Sequence, residues 1–163
     1  MTTRPGRRWK PILVAALAAI AIATLGALMT DLGPWYASLR KPDWQPPDWL
    51  FGPAWTLIFG LCACSGYLAW RSAPNRGGCD GIIALFALNS FLNVLWSALF
   101  FRLKRPDWAL TEAALLWLSI LLMIIALARY SKAASTLLAP YLAWVSFATV
   151  LNWAVVSLNA PFG

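Results

Sequence analysis

The chain has no histidine among its 163 residues, which removes the commonest metal ligand and the commonest general base. A hydrolase or a zinc site is thereby set aside. Cysteine is scarce: Cys62 and Cys64 lie two apart in an apolar helical stretch and so face different ways, and Cys79 lies in a polar turn. Neither metal geometry nor a disulfide follows from that spacing. Acidic side chains are few, and Glu112 is the one that falls inside a long apolar run. A proton-coupled exporter needs a carboxylate in mid-membrane, whereas Glu112, near the start of its run, is expected to face headgroups, with a shallow cavity as the other reading. No lysine sits in mid-run, which excludes a retinal-type Schiff base, and no ring of charges or carbonyls suggests an ion-selective channel.

What is present is apolar: 61% of residues are hydrophobic and 12% charged, with a mean hydropathy of +0.66. That exceeds what a soluble domain of this size can bury. A helix needs about 20 apolar residues to cross a bilayer, and five stretches qualify: 11–30, 49–71, 81–101, 108–129 and 136–158. The first ends in Met29, Thr30 and Asp31 with no small-x-small cleavage site, so it reads as a span and not a leader. The connections 72–80, 102–107 and 130–135 are short and force neighbouring helices antiparallel. The fold class expected is an all-α integral membrane protein, one domain over 1–163, an up-and-down five-helix bundle. No inverted internal repeat is visible.

Basic residues are unevenly shared. Arg4, Arg7, Arg8, Lys10, Arg71, Arg76, Arg129 and Lys132 fall on the side of the N-terminus, and Arg40, Lys41, Arg102, Lys104 and Arg105 on the other. The larger group marks the cytoplasmic side and puts the first loop outside. The net charge of +7 sits at helix ends, where lipid headgroups, not nucleic acid, are the expected partner.

The first loop is the most informative segment. Between residues 35 and 55 stand Trp35, Trp44, Trp49 and Trp55, with Tyr36 and the prolines at 42, 46, 47 and 53. Indole rings suit a membrane interface and prolines hold a backbone extended, so the loop reads as a stiff aromatic lid. Polar residues also recur inside the spans. Asn89, Asn93 and Ser97 follow one another every fourth residue in the third span with Trp96 beside them, and the fifth carries Trp144, Ala148 and Asn152, then Asn159. One reading is hydrogen bonding between helices. The other is a cavity where Trp and Asn from two helices offer a flat apolar face and polar contacts to a ligand. Ala15, Ala19, Ala23 and Ala27 in the first span, and Gly52, Thr56, Gly60 and Cys64 in the second, form small-residue ridges suited to close packing within the bundle or between two copies.

The loop matches W-Y-x-x-L-x-K-P-x-W-x-P-P-x-W-x-F-x-P-x-W from Trp35 to Trp55. The third span reads N-x-x-W-S-x-x-F-F as Asn93, Trp96, Ser97, Phe100 and Phe101, and the fifth P-Y-L-x-W-V-x-F-A-x-x-L-N from Pro140 to Asn152. Together these resemble the TspO/MBR family, the tryptophan-rich sensory proteins and translocator proteins, over roughly residues 12–159. The resemblance implies a bacterial-type cell-membrane protein, usually a homodimer, that needs no cofactor and binds porphyrins and related tetrapyrroles of the haem type. Animal members bind cholesterol and synthetic aromatic ligands. By motif position it makes Trp55 and Trp144 the ring faces of a pocket, Ala148 the small residue beside them, Asn93 and Trp96 one wall, and Trp35, Pro42 and Trp44 the lid.

Two departures stand out. Asn89 occupies a position where the family often has Gln, which would reshape the polar wall. Trp153 and Ser157 replace the Tyr and basic residue of the sterol-linked segment, which argues against cholesterol and for a tetrapyrrole or another apolar aromatic molecule. Arg40 and Lys41 are candidates for the propionates, with headgroup anchoring as the other reading. Without histidine, metal-free porphyrin suits better than iron porphyrin. The competing reading is an enzyme that degrades porphyrin with light or oxidant through the Trp55 and Trp144 pair, although no acid, base or metal is at hand for it.

Overall fold

The computed structural model describes residues 9–162, and every regular element among them is helical. Arg4, Arg7 and Arg8, counted above toward orientation, lie outside the described residues. In chain order the elements are α1 (Trp9–Met29), α2 (Pro34–Ser38), a 3-10 turn (Asp48–Leu50), α3 (Phe51–Ser72), α4 (Arg76–Ser97), a π-helical turn (Ala98–Arg102), α5 (Pro106–Ala128), α6 (Lys132–Thr136) and α7 (Ala139–Asn159). Helices α1, α3, α4, α5 and α7 are each long and apolar enough to cross a membrane. Their outward side chains, among them Leu57, Ile83, Phe91, Leu118 and Ile125, are exposed and apolar, as lipid contact requires. The protein is a multi-pass integral membrane protein.

Local chemistry sets the helix ends and moves two of them from where hydropathy put them. Helix α4 begins before the expected residue 81 because Asn75 caps it, its Oδ1 accepting from Gly78 N at 2.9 Å. Cys79 therefore sits in the first turn of α4, not in a polar turn. The expected connection 130–135 contains α6, whose N-cap Ser131 accepts from Ala134 N through its Oγ at 3.2 Å. Pro34, Pro106 and Pro140 stand in the first turns of α2, α5 and α7, where a missing N–H costs nothing. The turn between the π-helical segment and α5 carries Lys104 at φ 55°, which reverses the chain in very few residues.

Helix α5 is the central element, packed between α4 and α7, while α1 lies outside against α3. None of the described side chains of α1 is buried. The core is stacked along the bundle in three clusters. At the end away from the first loop, Ala69, Ile82, Met123, Leu127, Ala134 and Leu138 close together. In the middle lie Ile58, Leu92, Leu116, Ile120, Tyr141 and Val145. Toward the loop, Phe100, Phe101, Ala109 and Val155 pack under Trp35, Tyr36 and Leu39. Lipid tails are as apolar as leucine, so packing and hydrogen bonds, not escape from water, hold such helices together. Three polar cross-links show this: Ser65 Oγ donates to Ala134 O at 2.7 Å, Ser135 Oγ to Ile124 O at 2.7 Å, and Trp117 Nε1 to Ser146 Oγ at 2.8 Å.

Candidate functional site: an aromatic cavity under the first loop

Under the loop the bundle opens into a cavity of about 570 Å³, walled by α1, α3, α4, the π-helical turn and α7. That volume lies within the range of small-molecule sites. Two aromatic groups line it. On the α3 and α7 side, Trp55 stacks on Phe59 at 5.4 Å between ring centroids and meets Trp144 edge-on at 6.5 Å. Trp144 is in turn braced by Phe51 at 5.7 Å and Phe147 at 5.6 Å. On the α4 side, Trp96 stacks on Phe100 at 5.1 Å and meets Phe101 edge-on at 6.1 Å. The π-helical turn brings the consecutive Phe100 and Phe101 both into the buried core, and such turns recur at functional sites.

Several polar groups of the walls are tied into the fold. Asn93 Nδ2 donates to Tyr141 OH at 3.2 Å, Tyr141 OH to Asn89 Oδ1 at 3.2 Å, and Asn89 Nδ2 to Ser119 Oγ at 2.8 Å. This chain ties α4, α7 and α5 together behind the cavity. Asn152, oriented to satisfy both neighbours, donates to Pro106 O at 3.1 Å and accepts from Leu110 N at 3.0 Å. It fastens α7 to the start of α5. The indole Nε1 of Trp144 is buried without a partner.

The roof is a polar cluster. Tyr36 OH donates to Asp48 Oδ1 at 2.9 Å, and Gln45 Nε2 donates to the same oxygen at 3.1 Å and to Tyr36 OH at 3.3 Å. Lys41 Nζ lies 3.6 Å from the centroid of the Tyr36 ring and 3.9 Å from Asp48 Oδ2. Burial, then the hydrogen bond to Asp48, push the Tyr36 phenol above its ordinary range. Tyr36 also rests on Phe101 at 5.6 Å. The loop is pinned from below by Asn159, whose Oδ1 accepts from Arg40 N and whose Nδ2 donates to Arg40 O, both at 2.8 Å.

Of the residues singled out by sequence, Trp55, Asn93, Trp96, Trp144 and Ala148 converge on this one cavity. Trp35, Pro42, Trp44 and Asn89 are not among its lining. Trp35 lies edge-on to Phe100 at 6.1 Å and Trp44 edge-on to Phe147 at 5.9 Å, both outside the walls. Asn89 is buried one layer behind Asn93, so its shorter side chain shapes the wall only through Tyr141. Lys41 is turned to Asp48 and Tyr36 and not into the cavity, and Arg40 is held through its backbone. Glu112 does not reach headgroups: it is buried, with no hydrogen-bond partner for either oxygen, on the same face of α5 as Ser119 two turns on.

The small-residue ridges stand on α1 and α3, which pack on each other. Ala23, Ala27, Gly52 and Thr56 line the cavity, and a side chain added at Gly52 or Gly60 would meet nothing within 4 Å. Sequence reasoning missed Gln45 and Asp48 altogether, because they stand at variable positions of the loop pattern and their roles exist only once the loop is folded back. Tyr36, Phe100 and Phe101 carried a signal as fixed letters of the patterns, without one for their place in the cavity.

The family model described as TspO/MBR matches residues 13–158. Tryptophan-rich protein TspO of Chlorobaculum tepidum is 40% identical over 155 residues, covering 92% of this chain and 98% of that protein. The tryptophan-rich sensory protein of Cereibacter sphaeroides is 34% identical over 151 residues, covering 93% of this chain and 92% of that protein. The human translocator protein is 34% identical over 122 residues, covering 74% of this chain and 72% of that protein.

Proposed function

Because this chain belongs to the TspO/MBR family of receptor- and transporter-like membrane proteins, we propose that it binds tetrapyrroles, or other large flat aromatic molecules, in the cavity under its first loop, and so senses, sequesters or moves them. The observation that carries this reading is the two aromatic groups, Trp55 with Trp144 and Trp96 with Phe100 and Phe101, that line one cavity. A planar π system gains most from indole and phenyl faces where water does not compete. The lining is mostly aromatic and apolar, so shape and ring contact would supply most of the affinity.

Titration of the purified protein with protoporphyrin in the dark, read by tryptophan fluorescence, tests the reading. Saturable quenching that weakens in Trp144→Phe supports it, and the absence of saturable quenching overturns it. Repeating the titration under illumination separates holding from chemistry: bleaching of the porphyrin spectrum that depends on Trp55 and Trp144 would assign a light-dependent degrading activity to the same cavity.

A further inference from the structure

We propose that Asp48 is a specificity residue: by occupying Lys41, it makes the cavity select neutral or cationic planar aromatics and leaves ligand carboxylates outside. The inference deepens the proposed function by defining the polar chemistry of the ligand, and its ligand-class test does not depend on a tetrapyrrole.

The argument starts from the charges around the site. Every wall of the cavity is uncharged, and Asp48 in the roof is the one charged side chain among its lining residues. Lys41, the cation paired with Asp48, does not line the cavity. Its ammonium lies over the face of Tyr36 at 3.6 Å and against Asp48 Oδ2 at 3.9 Å, so both the ring and the carboxylate hold it away. Arg40 is fixed by two backbone hydrogen bonds to Asn159.

A carboxylate entering the cavity would therefore lose its hydration and meet no cation among the lining residues, where Asp48 is the one charged group. Like charges placed together cost affinity. An ester loses nothing of that kind, and a quaternary ammonium would find the Asp48 carboxylate and the face of Trp49, a combination that favours organic cations. Asp48 Oδ1 already accepts two hydrogen bonds, from Tyr36 and Gln45, which fix the carboxylate at the mouth. A tetrapyrrole bound here would bury its macrocycle and leave its propionates at the membrane surface.

The test uses three pyrene probes of one ring size: pyrenebutyrate, its methyl ester, and a pyrenylbutyl trimethylammonium. Binding is followed by energy transfer from tryptophan to pyrene, with the full chain in uncharged phosphatidylcholine nanodiscs. The native protein should prefer the ester to the acid by about tenfold. In Asp48→Asn, Lys41 is released, and the ratio should fall to about twofold. Adding Lys41→Gln to that variant should restore the preference. Lys41→Gln alone serves if Asp48→Asn fails to fold, since unmasking Asp48 should raise the preference for the ammonium over the ester. Equal binding of acid and ester by the native protein overturns the proposal, as does an ester-to-acid ratio that Asp48→Asn leaves unchanged or an ammonium-to-ester ratio that Lys41→Gln leaves unchanged. Parallel titrations with protoporphyrin and its dimethyl ester keep the two readings apart: pyrene selectivity without porphyrin binding sinks only the tetrapyrrole reading, and porphyrin binding with flat pyrene ratios sinks only the role of Asp48.

Discussion

The two ends of the bundle are both apolar, aliphatic at one and aromatic at the other, and do opposite things with that surface. At the closed end, Ala69, Leu127, Ala134 and Leu138 are wholly inaccessible, and the short α6 plugs the space between α3 and α5. At the loop end the rings are larger and lean on one another edge to face, and they leave a cavity between them. Small residues interdigitate and fill space; indoles held apart by their own bulk do not. The difference teaches that stability and recognition are segregated along the bundle axis, with the Asn93, Tyr141, Asn89 and Ser119 chain as the boundary between them.

The largest expected effect lies at the closed end. Leu138→Ala should cost about 3 kcal/mol, because lost packing contacts are not recovered when the surroundings cannot collapse. Thermal unfolding in detergent measures it, and ligand affinity of the folded fraction should stay within twofold or so. A large affinity change with little loss of stability would erase the proposed segregation.

Next comes the mirror experiment at the loop end. Trp144→Phe should weaken porphyrin binding by about tenfold, by removing indole surface from the wall, while costing the fold little. Trp108 is a suitable control: it is half-exposed at the start of α5, with the Arg105 guanidinium 4.2 Å from its ring. Trp108→Phe should leave the dissociation constant nearly unchanged. Equal effects of the two substitutions would remove Trp144 from the site.

A smaller effect, kinetic in character, is expected from the roof. Replacing Pro46 and Pro47 by glycine gives the loop freedom that it must lose again on closing over a ligand. Release should quicken several-fold with the thermal midpoint nearly unmoved. Were the double variant to unfold and its folded remainder to release ligand at the native rate, the loop would be a brace of the fold and not a cover for the cavity.

The smallest effect concerns Tyr36. Its folded phenol is raised above the ordinary value of about 10. The neutral form is therefore favoured in the folded state: its contribution is complete below that pH and is lost as pH climbs through the raised value. Tyr36→Phe removes both the hydrogen bond and the titration. The difference in stability between native and variant protein, about 1 kcal/mol at neutral pH, should shrink above pH ~10. A difference that stays constant to pH ~11 would show that neither burial nor the Asp48 bond raises the folded phenol above the ordinary range.

Much of the architecture was legible from hydropathy, since the five apolar stretches recur as α1, α3, α4, α5 and α7. The shifts at Asn75 and Ser131 came from single side-chain caps that an average over about 20 residues does not register. The site was legible in part. Fourfold spacing put Asn93, with Trp96 beside it, and Trp144 and Ala148 on inward faces, and the structure brings them together with Trp55. It did not distinguish the wall from the layer behind it, so Asn89 was grouped with Asn93 although Tyr141 separates it from the cavity. Glu112 was misplaced for a related reason: nearness to a helix start suggests headgroups, but rotation about the helix axis, set by the neighbours α4 and α7, turns it inward.

The sequence by itself determined that this chain spans a membrane as five helices and carries an aromatic loop of the TspO/MBR kind, because an apolar run of about 20 residues has no other stable place for its backbone hydrogen bonds. Only the tertiary structure decided which charges face the cavity. Lys41 and Asp48 are separated by a bend of the loop that its composition does not encode, and their pairing depends on Tyr36 being held against Phe101 from another part of the chain. Contacts of that kind follow from how the helices pack, and packing is a property of all five at once.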